Sequence, residues 1–78
     1  MYFEPWMLKL LEREDYRQTR EGRIYSLVKY FAKDFPEDIS REAFLQACEE
    51  CRLDPETFSK DDIYQVKVKL KKLKERYK

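Results

Sequence analysis

The chain reads as all-α, a small compact bundle of three to four helices, the last one basic and amphipathic. Three observations predict this. One glycine (Gly22) and three prolines (Pro5, Pro36, Pro55) punctuate 78 residues, too few for the turns of an all-β domain. Apolar residues recur at spacings of three and four along most of the length. The apolar fraction is 42% and the charged fraction is also 42%. That is enough hydrophobicity for a core and places the chain outside the disordered class. The length predicts a single helical domain over residues 1–78.

The first helix is expected to begin at Glu4-Pro5, because proline suits the first helical turn, where its missing N–H is not needed. Trp6, Met7, Leu8, Leu10 and Leu11 carry it, and the pattern fades between Glu14 and Tyr16. Arg17 to Gly22 reads as a connection, with Thr19 placed to cap the next helix. The second helix is expected over 20–33, with Ile24, Leu27, Val28, Phe31 and Phe35 as its inner stripe. Pro36 ends it, since the residue before a proline is pushed out of helical geometry. Ser40 is an N-cap for a third helix, and Glu42 in its first turn suits the helix dipole. The stripe of that helix is Ala43, Phe44, Ala47, Cys48 and Cys51. Asp54-Pro55-Glu56 opens a single turn. Ser59-Lys60-Asp61-Asp62 resembles a capping box, with Asp in place of Glu, for the final helix. Ile63, Val66, Leu70, Leu73 and Tyr77 share one stripe of it. The core is expected to draw on Leu8, Leu11, Ile24, Leu27, Val28, Phe31, Phe35, Phe44, Ala47, Cys48, Ile63, Val66, Leu70 and Leu73.

A net charge of +1 conceals a segregation. Residues 1–33 carry +2, residues 34–62 carry −7, and residues 63–78 carry +6. A nucleic-acid-binding domain is usually basic overall. A bipolar chain fits charge-steered contacts between its own segments or between copies of itself. No stretch approaches the roughly 20 apolar residues that span a bilayer. The N-terminus has no signal-peptide pattern, and two cysteines in an otherwise unstapled chain fit a reducing compartment. A cytoplasmic location without membrane insertion is expected.

Cys48-Glu49-Glu50-Cys51 is a CxxC. A redox pair of this kind sits at a helix N-terminus, where the dipole lowers the thiol pKa. Here it falls late in a helix beside two carboxylates, which raise it. With no histidine and no third cysteine, four-coordinate zinc needs acidic ligands or a second copy. Both thiols fall on the stripe with Phe44 and Ala47, so burial as small hydrophobes is the favoured role, with metal or redox use the alternative. The acids Asp34, Glu37 and Asp38, and Asp54, Glu56, Asp61 and Asp62, lack the central glycine of a calcium loop and read as solvated loops and caps. The absence of histidine, of a nucleophile elbow and of a glycine-rich phosphate loop argues against an enzyme, and no cofactor or metal is expected.

Two segments carry the functional expectation. Tyr2, Phe3, Trp6, Met7, Leu8, Leu10 and Leu11 cover more than one helix face, so part of them either forms a second core layer or anchors a partner. The final helix sets Lys67, Lys69, Lys71, Lys72, Lys74, Arg76 and Lys78 against one acid, Glu75. Val68 points away from its apolar stripe, ringed by Tyr64, Lys71, Lys72 and Glu75. That face suits docking of an acidic protein. It also suits phosphate contact with a stacking aromatic, and the plainest alternative is a solvated helix end. A helix-turn-helix over 41–73 is disfavoured, because Asp61 and Asp62 would meet phosphate at the start of its second helix. The sequence therefore reads as a non-enzymatic protein-interaction module of adaptor or regulatory type. It would bind a protein partner, or itself, through Tyr2, Phe3, Trp6, Tyr64, Lys67, Val68, Lys71, Lys72, Lys74 and Lys78. The alternative is nucleic-acid binding through phosphate contacts of the lysine-rich helix.

Overall fold

The computed structural model describes residues 4–76. They form five α-helices: α1 (Pro5–Glu12), α2 (Glu14–Arg17), α3 (Arg20–Phe31), α4 (Arg41–Glu50) and α5 (Lys60–Arg76). A single 3-10 turn, Pro55–Thr57, lies between α4 and α5. No strand occurs among the described residues, and the helices gather into a body of 31 × 29 × 20 Å. None of these helices is long and apolar enough to cross a membrane.

The start signals act as their residue types dictate. Thr19 Oγ1 accepts the Gly22 N–H at 3.0 Å, and Ser40 Oγ accepts the Ala43 N–H at 3.1 Å. Asp54 Oδ1 accepts the Glu56 N–H at 2.9 Å and opens the 3-10 turn. At α5 the capping box is reciprocal. The Asp62 N–H donates to Ser59 Oγ at 3.1 Å, and the Ser59 N–H donates to Asp62 Oδ2 at 3.0 Å. Each cap satisfies backbone donors that have no partner inside the helix.

Helix ends depart from the sequence reading in two places, α1 and α3. The first helix breaks at Arg13, whose backbone is extended, and a four-residue helix occupies part of the expected fade and connection. Arg17 makes the break possible: its Nη1 donates to the carbonyls of Leu11 and Glu12 at 3.1 and 2.8 Å. The second helix stops at Phe31 rather than Lys33, and the chain leaves it through Phe35 at φ 48, with the Phe35 N–H bonded to the Phe31 carbonyl at 2.9 Å. α4 ends in a Schellman turn. The Leu53 N–H reaches the Cys48 carbonyl at 2.8 Å, and the Arg52 N–H reaches the Glu49 carbonyl at 3.2 Å. Arg52 holds the left-handed position at φ 58 that glycine usually fills.

α3 is the hub, because α1, α2, α4 and α5 all pack on it. The core joins Ile24, Leu27, Val28 and Phe31 of α3, Phe44, Ala47 and Cys48 of α4, and Val66 and Leu70 of α5. Burying each large apolar side chain stabilises the fold by about 1.5–3 kcal/mol. Ala32, Leu53 and Phe58 belong to the same cluster although no helical stripe marks them. The Schellman turn folds Leu53 inward, and Phe58 meets Phe44 edge-on with ring centroids 5.3 Å apart. Leu8, Phe35, Ile63 and Leu73, expected inside, are only half-buried. α1 contributes Leu11 as its buried residue. α2 approaches α3 so closely that a Cβ on Gly22 would collide with the Tyr16 carbonyl oxygen.

Candidate functional site

α5 is clamped to α3 at its start and free to display its outer side. Arg20 donates from Nε to Asp62 Oδ1 and from Nη2 to Asp61 Oδ2, each at 2.6 Å. Arg23 adds a longer contact to Asp62 Oδ2 at 4.0 Å. The Arg20 guanidinium, then the Ser59 N–H, hold the buried Asp62 carboxyl below its ordinary value. With that register set, Asp62, Val66 and Leu70 face inward. The 3.6-residue period then turns Tyr64, Lys67 and Lys71 outward.

On the outer side Tyr64 is 61% exposed, and Lys67, Lys71, Lys72 and Lys74 are exposed. Val68 is half-buried among Tyr64, Lys67, Lys71, Lys72 and Glu75. All of these lie on one helix, so what covers Val68 is the aliphatic length of its neighbours.

A groove of about 300 Å³ runs beside this face, between α1 and α5 over α3. Met7, Val28 and Leu73 give it an apolar lining, and Tyr25, Lys69, Lys72 and Glu4 stand around it. Trp6 forms a wall and is 60% exposed. Lys69 is held in place, with its Nζ 5.0 Å from the centroid of the Tyr25 ring. Lys72 borders both the groove and the Val68 patch. The aromatic residue of the first helix and the basic face of the last thus form one continuous surface. A second groove, about 290 Å³, separates α5 from the 35–39 loop. There Lys67, Lys71 and Lys74 stand near Glu37 and Asp38, and Lys67 Nζ lies 3.7 Å from Asp38 Oδ1.

The structure therefore brings together Tyr64, Lys67, Val68, Lys71 and Lys72 on one patch of α5, joins Trp6 to that patch through Lys72, and sets Lys74 with Lys67 and Lys71 along the second groove. Tyr2, Phe3 and Lys78 lie outside the described residues. Sequence reasoning missed Tyr25 and Asp38. Tyr25 borders the inner stripe of α3, and nothing local reveals that α1 and α5 flank it on that side. Asp38 reads as a solvated loop acid, and in the structure it contacts a lysine of the candidate surface.

The CxxC is set apart from this surface. Cys48 is fully buried, and burial first, then the neighbouring Cys51 and Asp54, push its thiol up to about 11. Cys51 is half-buried, its thiol also raised by burial, with Sγ 3.8 Å from the Ser26 carbonyl. Neutral thiols in this setting act as small core side chains. No group of three or more Cys, Asp or Glu among the described residues is arranged to hold a metal ion.

Comparison with protein-family models, with curated proteins and with solved structures finds no match to the chain.

Proposed function

We propose that the chain is a non-enzymatic protein-interaction module that docks an acidic, partly apolar segment of a protein partner on the surface built by Trp6 and α5. The observation that carries this reading is the groove itself. An apolar lining of Met7, Val28 and Leu73 is flanked by Lys69 and Lys72 and walled by an exposed tryptophan. Tryptophan is among the residues that anchor interfaces, because it removes a large apolar area from water on contact. Lysines at the margin select acidic partners and speed their encounter.

Nucleic acid fits this surface less well. Glu4 and Glu75 lie within it, and Asp38 stands beside Lys67. Each carboxylate repels phosphate. The cations lining the groove and the Val68 patch are lysines, which read bases poorly compared with arginine, asparagine and glutamine.

Trp6 is the only tryptophan in the sequence, so its fluorescence reports on the groove directly. The test titrates the protein with an acidic amphipathic peptide carrying leucine and phenylalanine at helical spacing. A second peptide replaces those residues with serine. Labelled duplex DNA and single-stranded RNA are titrated in parallel at low and near-physiological salt. A blue shift of Trp6 with the first peptide only, lost in Lys72→Glu, is expected. Salt-sensitive binding of DNA or RNA without peptide binding, abolished when Lys67, Lys71 and Lys74 become glutamate, would put nucleic acid in its place.

A further inference from the structure

The docking surface is basic, and the same molecule carries its chemical complement. α4 buries Phe44, Ala47 and Cys48 and turns its other side to solvent. On that side stands Leu45, 38% exposed, one helical turn from Glu42 and Glu49. Leu45, Trp6 and Tyr64 are the large apolar side chains left exposed among the described residues. Two of these stand on the basic surface and the third on α4, whose three glutamates outweigh Arg41.

Of the charges on both faces only Lys67 is engaged in an ion pair within one molecule among the described residues, its Nζ 3.7 Å from the exposed Asp38 Oδ1. Glu42 and Glu49 take part in no ion pair among the described residues, nor do Lys71 and Lys72. The two helices bury their inner sides in a core shared with α3, and no Cα of α4 comes within 8 Å of one in α5. Their outer sides therefore face different directions and do not meet. Two copies are under no such restriction. The net charge of +1 leaves little long-range repulsion between them.

Resting on the docking surface described above, we propose that its acidic partner is a second copy of this chain. Leu45 of one copy seats against Tyr64 and Val68 of the next, and Glu42 and Glu49 meet Lys67, Lys71 and Lys72. The two faces look in different directions and cannot both pair across one twofold axis, so the contact is heterologous. It repeats head to tail unless a ring closes. Charge pairing at an exposed face weakens with salt, as the screening length falls from about 10 Å at 0.1 M to about 3 Å at 1 M.

Sedimentation velocity from micromolar to millimolar protein, at low and high salt, tests the pairing. The wild type is expected to grow in mean mass past the dimer at low salt and to associate about tenfold more weakly at high salt. Glu42→Lys/Glu49→Lys and Lys67→Glu/Lys71→Glu should each be monomeric alone, with circular dichroism confirming that both fold. Mixed in equal amounts they should associate again, because the reversed faces complement each other. Association unaffected by Glu42→Lys/Glu49→Lys, or one that stops at a dimer, would overturn the proposal. A monomeric wild type whose Trp6 still answers the acidic peptide would overturn self-pairing alone. A monomer that also ignores the peptide would overturn both readings.

Discussion

Replacing Asp62 with alanine removes several interactions at one point. Asp62 is 4% exposed, and its carboxylate accepts the Ser59 N–H at 3.0 Å and the Arg20 Nε–H at 2.6 Å and lies 4.0 Å from Arg23. Loss of half the capping box costs about 1 kcal/mol. The hydrogen-bonding capacity stranded around it costs about 1 kcal/mol more. A total near 2 kcal/mol, with a urea slope of about 1 kcal/mol/M for a chain of this size, lowers the urea midpoint by about 2 M. The effect has a pH signature. A carboxyl whose folded pKa is depressed contributes stability that is fully present above its unfolded pKa, about 4, and is lost as pH falls through the folded value. Urea titrations of wild type and Asp62→Ala at pH 7 and pH 3 should therefore show a wide gap that narrows in acid. Asp15, also lowered by its bond to Arg13, is present in both proteins and cancels in the comparison. Equal midpoints at pH 7, or a gap as wide at pH 3, would refute the assignment of Asp62 as the clamp between α3 and α5.

Gly22→Ala should destabilise the protein, against the gain of about 1 kcal/mol that helix propensity alone gives, because the new Cβ meets the Tyr16 carbonyl; a higher melting temperature would show that α2 can move aside. Arg52→Gly should raise the melting temperature by about 4–8 °C, the equivalent of about 1 kcal/mol released at φ 58. No rise would mean the Arg52 side chain offsets the strain. Phe31→Ala should cost about 3–5 kcal/mol, since Phe31 is 6% exposed in the central cluster, and an unchanged thermal midpoint would exclude it from the core. Cys48 should react with a disulfide reagent near pH 8 only as fast as the protein opens, and after Cys51; labelling at the rate of a free thiol in native buffer would contradict its burial.

The local chemistry of helix starts was readable because it is written in neighbouring residues. Thr19, Ser40, Asp54 and the Ser59–Asp62 pair cap where their types and spacings dictate. Helix ends were harder. The break at Arg13 depends on Arg17 reaching back to carbonyls five and six residues away, and the Schellman turn after α4 uses arginine where glycine is the usual signal. Leu53 and Phe58 were missed for a related reason, since both lie in connections, where periodicity carries no information. The outward direction of the Tyr64–Val68 face followed from the pitch of α5 alone, although the neighbouring side chains leave Val68 half-buried. The junction of that face with Trp6 did not, because sequence spacing is silent on which sides of α3 the first and last helices occupy.

Among the described residues α3 meets every other helix, whereas α1 meets only α2 and α3 and buries Leu11. Amide hydrogen exchange should resolve the fold accordingly, with α3 protons protected up to global unfolding and α1 protons released through a cheaper, partial opening. Trp6 sits on that less protected helix. The wall of the proposed docking groove should therefore open without melting the centre of the molecule, and a bound partner should register as slowed exchange across α1.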